Sequence, residues 1–237
     1  MFASMLLSVL LVVAMQIAAQ AQPPMILQVF REPLKPRVEA EYDRIESDTA
    51  RKCAKLRCPH PYLGVESLTG PKEVWWFNGY DSAAEVKQVA DAWAKNKPAL
   101  TAVERNSKRK ARLTDKGINA FANYRQDLSA GPPWVIGHGR FLVITVTNGA
   151  PQMNGTVFET DAEWNMFVDP LAPQKTFAVN GTRFVIVAAQ TREEADAAAA
   201  ADAESRVFAV RPSWSHPALD WIAADPEFWR QGHLSNR

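Results

Sequence analysis

Apolar positions recur along this 237-residue chain with two periods, and the places where one gives way to the other predict its elements. MILQVFREPL, 25–34, reads as a strand. Over 35–56 the spacing lengthens, and Val38, Tyr42, Ile45, Thr49 and Cys53 fall at helical intervals. YLGVESLTG, 62–70, is a short strand ending in a turn, with Gly70-Pro71 as punctuation. KEVWWFNGY, 72–80, is strongly β-prone. On a pleat Val74, Trp76, Asn78 and Tyr80 share one face, while Trp75 and Phe77 share the other. Ser82 and Glu85 then form a capping box opening a helix over 83–96, with Val86, Val89, Ala90 and Trp93 on one side.

The stretch 112–134 follows neither period and reads as irregular, ending in SAGPPW as a linker or crossover loop. Strands are predicted over 139–149 and 155–160, and a pair over 176–190 around the turn signal Asn180-Gly181. Thr191 and Glu194 form a second capping box before an alanine-rich helix. RVFAVRP, 206–212, is a last strand, and HPALDWIAADPEFW closes the chain in short helices. Each half ends in strand, strand, helix. The expected fold is α+β: tandem ferredoxin-like halves, with antiparallel sheets packed face to face and helices outside. The expected divisions are 1–21 as a signal peptide, 25–128 as the first half and 129–237 as the second.

Composition narrows the function classes. Lys and Arg total 27 against 26 Asp and Glu, so the near-zero net charge gives no support for a nucleic-acid partner. The basic run ERNSKRKARLTDK, 104–116, which holds Lys108, Arg109, Lys110 and Arg112, reads as a solvated helix face. MLLSVLLVVAMQIAA is short for a membrane span and leads into AAQA, with small residues where a signal peptidase would cut after Ala21. A periplasmic or secreted protein is expected, free of the membrane after cleavage, as a monomer or homodimer. Export favours pairing of the two cysteines, Cys53 and Cys58, provided the helix ends near Arg57. Pro59 and Pro61 support that ending. A metal site built from Cys53, Cys58 and His60 lacks a second ligand pair, so no metal is assigned.

Residues 25–97 resemble the dimeric α/β-barrel superfamily, which includes antibiotic-biosynthesis-monooxygenase-like, NIPSNAP-like and haem-degrading proteins. The strand MILQVFREPL, the long helix after it, the strand EVWWFNGY and the capped helix SAAEVKQVADAWAKN carry the resemblance. CPHPYLGVESLTGPKEVWWFNGY is also similar to stretches of uncharacterised exported bacterial proteins. The resemblance implies facing sheets around a small-molecule cavity. Haem is the one cofactor it raises; otherwise none is expected. Asn78, Trp75 or Trp76, and His60 match the residue types around haem in haem-degrading members, but not position by position.

The candidate site residues follow. His60, fixed between two prolines, and His138, between two glycines, are the candidates for acid–base work. The bland alternatives are a corner histidine bonded to backbone and a simple turn. Trp75, Trp76, Asn78 and Tyr80 are the candidate ligand contacts, against plain core as the alternative. No G-x-S-x-G, H-E-x-x-H, P-loop or dinucleotide fingerprint occurs. Three functions stay open: binding of a small apolar or aromatic ligand in a sheet-to-sheet cavity, a monooxygenase-like or haem-handling enzyme, and a structural or partner-binding protein.

Overall fold

The structure, a computed structural model, describes residues 22–162 and 180–234. The expected signal segment 1–21 and the first strand of the predicted 176–190 pair lie outside the described residues. Eight strands are described: β1 (Ile26–Pro33), β2 (Leu63–Ser67), β3 (Glu73–Tyr80), β4 (Ile118–Tyr124), β5 (Phe141–Thr147), β6 (Thr156–Thr160), β7 (Arg183–Ala189) and β8 (Arg206–Val210). The helices are α1 (Glu39–Leu56), α2 (Ala83–Lys95), α3 (Lys97–Lys110), α4 (Arg192–Ala199), α5 (Leu219–Ala224) and α6 (Pro226–Leu234).

The strands close into one barrel in the order β1-β3-β2-β8-β5-β7-β6-β4, every pair antiparallel. This overturns the expected ferredoxin-like, dimeric α/β-barrel arrangement of two sheets packed face to face. The physical reason lies at the sheet edges. β2 pairs with β8 through Val65↔Val210, and β4 pairs with β6 through Ala122↔Thr160. An edge strand leaves a row of unpaired backbone groups, and closure within one chain satisfies them. The four strands of each half keep the same order around the ring, fourth-first-third-second: β4-β1-β3-β2 in the first and β8-β5-β7-β6 in the second.

The helices do not form an even outer layer either. α1, α2 and α3 cover the outside of the first half, whereas α4 is the described helix that packs on β5, β7 and β8. α5 and α6 contribute Trp221 and Trp229 to the core cluster of the barrel interior. Gly137 seats Trp221: its φ is +84°, and a Cβ there would stand 2.1 Å from the indole.

Two readings of the first half change. The segment taken as irregular holds β4, which pairs with β1 through Phe30↔Asn119 and Val29↔Ala120. Its alternation is carried by Ala120 and Ala122 rather than by β-branched residues, so its propensity is weak and its partners decide it. The basic run is largely helix α3, and Lys110 at its end is 9 % exposed rather than solvated.

The barrel interior is filled. Trp75, Phe77, Phe158, Phe184 and Phe208 point inward and none is more than 1 % exposed. Burying each such side chain contributes about 1.5–3 kcal/mol. The expected cavity between facing sheets is thus replaced by packed aromatics.

Candidate functional site

The strongest candidate lies outside the barrel, between the outer face of the first-half sheet and helices α1–α3. A cavity of about 140 Å³ opens there. Its floor comes from β1 (Gln28, Phe30), β3 (Trp76, Asn78, Tyr80) and β4 (Phe121). α1 supplies Glu46, Thr49 and Cys53; α2 supplies Val86, Val89, Ala90 and Trp93; α3 supplies Val103, Ser107 and Lys110. Tyr62, just before β2, completes the wall. Phe30, Tyr62, Trp76, Tyr80, Trp93 and Phe121 make it strongly aromatic.

Local sequence features hold these walls. Tyr42, Ile45, Thr49 and Cys53 turn inward from α1 at helical spacing. The helix stops where Arg57 adopts a left-handed conformation and Cys58 N–H bonds Cys53 O at 3.0 Å. Cys53 and Cys58 are joined there by a disulfide. Asn96 caps α3 through Ala99 N–H, and its Nδ2 donates to Leu56 O and Arg57 O, both at 3.1 Å. The α2–α3 joint is thereby tied to the end of α1. Ser82 caps α2 through Glu85 N–H. Gly64, opposite Trp76 in the register, has no Cβ to meet the indole, and one would stand 2.7 Å from it.

Charged groups are buried against this aromatic wall. Lys110 Nζ lies 3.0 Å from Glu32 Oε2 and 2.5 Å from Glu46 Oε1. The contact with Glu46 is the shorter of the two, so both carboxylates share one ammonium. Glu32 Oε2 also accepts from Trp76 Nε1 at 2.8 Å and from the Tyr42 hydroxyl. Lys110 Nζ stands 5.3 Å above the Trp76 ring and 5.5 Å from that of Tyr42. Burial pushes the Glu46 carboxyl up to about 7, against the pull of the Lys110 charge. Burial works against the charge on Lys110, but Glu32 and Glu46 outweigh it and raise its pKa. The Tyr62 hydroxyl is buried without a hydrogen-bond partner, and burial raises its pKa, with the Glu46 charge adding to the effect. A second polar chain runs along the floor: Asn78 Nδ2 and Tyr80 Oη both donate to Gln28 Oε1, at 3.0 and 3.1 Å. Gln28 Nε2 donates onward to Asn119 Oδ1 at 3.1 Å.

The structure separates the residues proposed from sequence. Trp76, Asn78 and Tyr80 line the cavity, while Trp75 points into the barrel core. His60 lies behind the cavity, stacked on Tyr80 at 4.6 Å and 6°, with Nε2 held 2.9 Å from Gly79 O. Burial lowers its pKa, against the raising effect of that carbonyl. His138 lines a different cavity, of about 220 Å³, beside Asp225 and Phe228. Asp225 is tied to Arg140 by contacts of 2.9 and 3.1 Å, which leaves that cavity no buried group in want of a partner. The two histidines are therefore not brought to one site.

Sequence reasoning missed Glu46, Tyr62 and Lys110. Glu46 had a signal: it lies four residues after Tyr42 and three before Thr49, inside the buried stripe of α1. Lys110 had a weak signal, since it follows Ala99, Val103 and Asn106 at helical spacing, but the charges beside it in the run masked that face.

Haem does not fit the cavity. Drug-sized ligands occupy about 300–1,000 Å³, more than twice the space here. The lining has no histidine or methionine, and its cysteine is in the disulfide; Tyr62 and Tyr80 are the remaining residues of a haem-ligating type, and the space is what rules the group out. Among the described residues no cluster of three or more His, Cys, Asp or Glu could hold a metal ion. No helix among them is long and apolar enough to cross a membrane.

The class defined so far is a closed eight-stranded antiparallel barrel with a pocket between sheet and helices. No protein-family model matches the chain, and no curated protein matches it. Among solved structures it is similar to a "putative monooxygenase" from Fusobacterium nucleatum subsp. nucleatum ATCC 25586, with 10 % identity and a TM-score of 0.41 over 88 % of this chain and 84 % of that one. It is also similar to a "putative monooxygenase" from Lactobacillus acidophilus NCFM, with 9 % identity and a TM-score of 0.38 over 78 % of this chain and 93 % of that one. At these values the likeness carries no argument for a shared activity.

Proposed function

We propose that this protein binds a small molecule built on a single aromatic or compact apolar ring, in the pocket between the first-half sheet and helices α1–α3. The observation that carries this reading is an aromatic-walled cavity of about 140 Å³ with a buried, unpartnered Tyr62 hydroxyl on its wall. An apolar cavity of about 150 Å³ accepts one benzene ring, so the space suits one ring. The lone hydroxyl supplies the directional contact such sites use to orient a guest.

The test is a titration with benzyl alcohol followed by tryptophan fluorescence and by chemical shifts of α2 and β3. Saturable binding is expected at a Kd on the order of 0.1–1 mM for so few atoms. Ala90→Phe fills the pocket from α2 and should abolish binding without unfolding the protein. Shifts scattered over the surface, or binding unchanged in the filled variant, would count against the site.

A further inference from the structure

We propose that the natural ligand is a small aralkyl ammonium ion, its charge received by Glu46 and its N–H by the Tyr62 hydroxyl. This deepens the pocket reading above and rests on it.

The argument starts from charge. Glu32, Glu46 and Lys110 are 7 %, 2 % and 9 % exposed, so two carboxylates face one ammonium in a dry setting. Glu32 is well supplied, since its Oε2 accepts from Trp76 and Tyr42 besides meeting Lys110. Glu46 has less: its Oε1 meets Lys110, the same ammonium that Glu32 already shares. The groups facing it are Glu32 from β1, Lys110 from α3, Tyr62 from the segment before β2 and Tyr42 on its own helix. Lys110 is the one cation among them. When Glu46 ionises, the cluster holds one uncompensated negative charge. An ammonium ion entering the pocket cancels it; a neutral guest leaves the proton in place, and an anion makes the imbalance worse.

The walls suit the same guest. Lys110 Nζ already rests over the Trp76 and Tyr42 rings, which shows that this surface accepts a cation against aromatic faces. Tyr62 offers a free acceptor for one N–H, and Trp93 and Phe121 are apolar surface for a ring. Because the Glu46 carboxyl is held near 7, the ammonium displaces its proton below that pH and meets a bare carboxylate above it. Affinity should therefore rise about tenfold from pH 6 to pH 8, then level off.

The experiment compares benzylammonium with its neutral counterpart, benzyl alcohol, by calorimetry at pH 6, 7 and 8 in two buffers of different ionisation heat. Expected are binding of the amine about tenfold tighter than the alcohol at pH 8, a tenfold rise for the amine alone across the range, and release of about one proton at pH 6. Glu46→Gln should bring the amine down to the alcohol and flatten its profile, with benzyl alcohol still bound as evidence of an intact pocket. Should the wild-type protein bind the alcohol as tightly as the amine at pH 8, the ammonium assignment is overturned while the pocket stands. If neither compound binds in the pocket, the underlying site reading fails, and this inference with it.

Discussion

Trp75 and Trp76 are neighbours in sequence, yet they face two different environments. Trp75 looks into the barrel, where Phe208 lies 5.0 Å away and Phe184 meets it edge-on at 6.1 Å. Those partners come from β8 and β7, so the interior is closed by strands of both halves. Its indole N–H bonds Glu73, two residues back on the same strand, at 2.6 Å. Trp76 looks out onto the helices, where its N–H reaches Glu32 and its ring carries Lys110. The interior is made by one repeating geometry, the pleat, and large apolar side chains from all sides interlock in it. On the outer face three helices of mixed polarity meet the outside of a closed barrel. There the fit leaves space, and buried charges occupy part of it.

The largest difference between the two faces should show in truncations. Trp75→Ala removes a fully enclosed ring and should cost about 3–5 kcal/mol. Trp76→Phe keeps one six-membered aromatic ring, gives up the pyrrole part of the indole with one of the donors to Glu32, and should cost about 1–2 kcal/mol. Urea denaturation of both variants measures this. A larger loss from Trp76→Phe would reverse the ranking of the two faces.

Lys110→Met probes the charge on the outer face. It leaves Glu32 and Glu46 buried without their cation, and at pH 8 should cost about 3 kcal/mol. The pH dependence has a definite sign. Glu46 has a folded pKa of about 7 against an unfolded value of 4.5, so the unfolded state loses its proton first. Stability therefore falls as pH rises from 4.5 to 7, and the full penalty stays above that. Without Lys110 the carboxyl climbs further, so the variant should regain stability on acidification from pH 8 to pH 5 more steeply than the parent. His60, with its lowered pKa, pulls the other way: its contribution is complete above 6.5 and is lost as pH falls. That slope is common to both proteins and cancels in their difference. Parallel profiles would mean that Lys110 and Glu46 are not coupled.

Much of the outer face was legible in the sequence, because local rules made it. The alternation of Trp76, Asn78 and Tyr80 put them on one face, and the stripe of α1 and the caps at Ser82 and Thr191 placed the helices. The rest depended on partners far away in the chain. Barrel closure rests on β2 meeting β8 and β4 meeting β6, pairings between residues that carry no signal for each other. β4 puts Ala120 and Ala122 at its inward positions, so its alternation is weak and its pairing with β1 and β6 decides it. Lys110 stands in a run that reads as solvated, and its burial follows from the packing of α3 on α1. His60 stood out for its prolines, but its ring serves to back Tyr80.

The disulfide tests whether helix anchoring belongs to the outer face alone. It closes a short loop, and replacing both Cys53 and Cys58 with serine should cost about 2 kcal/mol by the loop-entropy relation. Asn96 remains as a second tie at the same corner. Hydrogen exchange should quicken in the last turn of α1 and at the α2–α3 joint, while amides of β3 keep their protection. Equal quickening in β3 would show that the two faces open as one unit.

The smallest effect is expected at Asn78. Its Nδ2 bonds Gln28 Oε1, but Tyr80 Oη donates to the same atom, so Asn78→Ala leaves that acceptor supplied. The stability cost should be about 1 kcal/mol or less. A double-mutant cycle with Tyr80→Phe should then show coupling of about 0.5–1 kcal/mol, because the second change removes the remaining one of those two donors from a buried carbonyl. The interior has no such reserve, since an enclosed ring that is removed leaves a void nothing else fills. An Asn78→Ala loss as large as that of Trp75→Ala would mean that the outer face is determined as tightly as the core, and that the space beside it is a packing accident rather than a place kept for a guest.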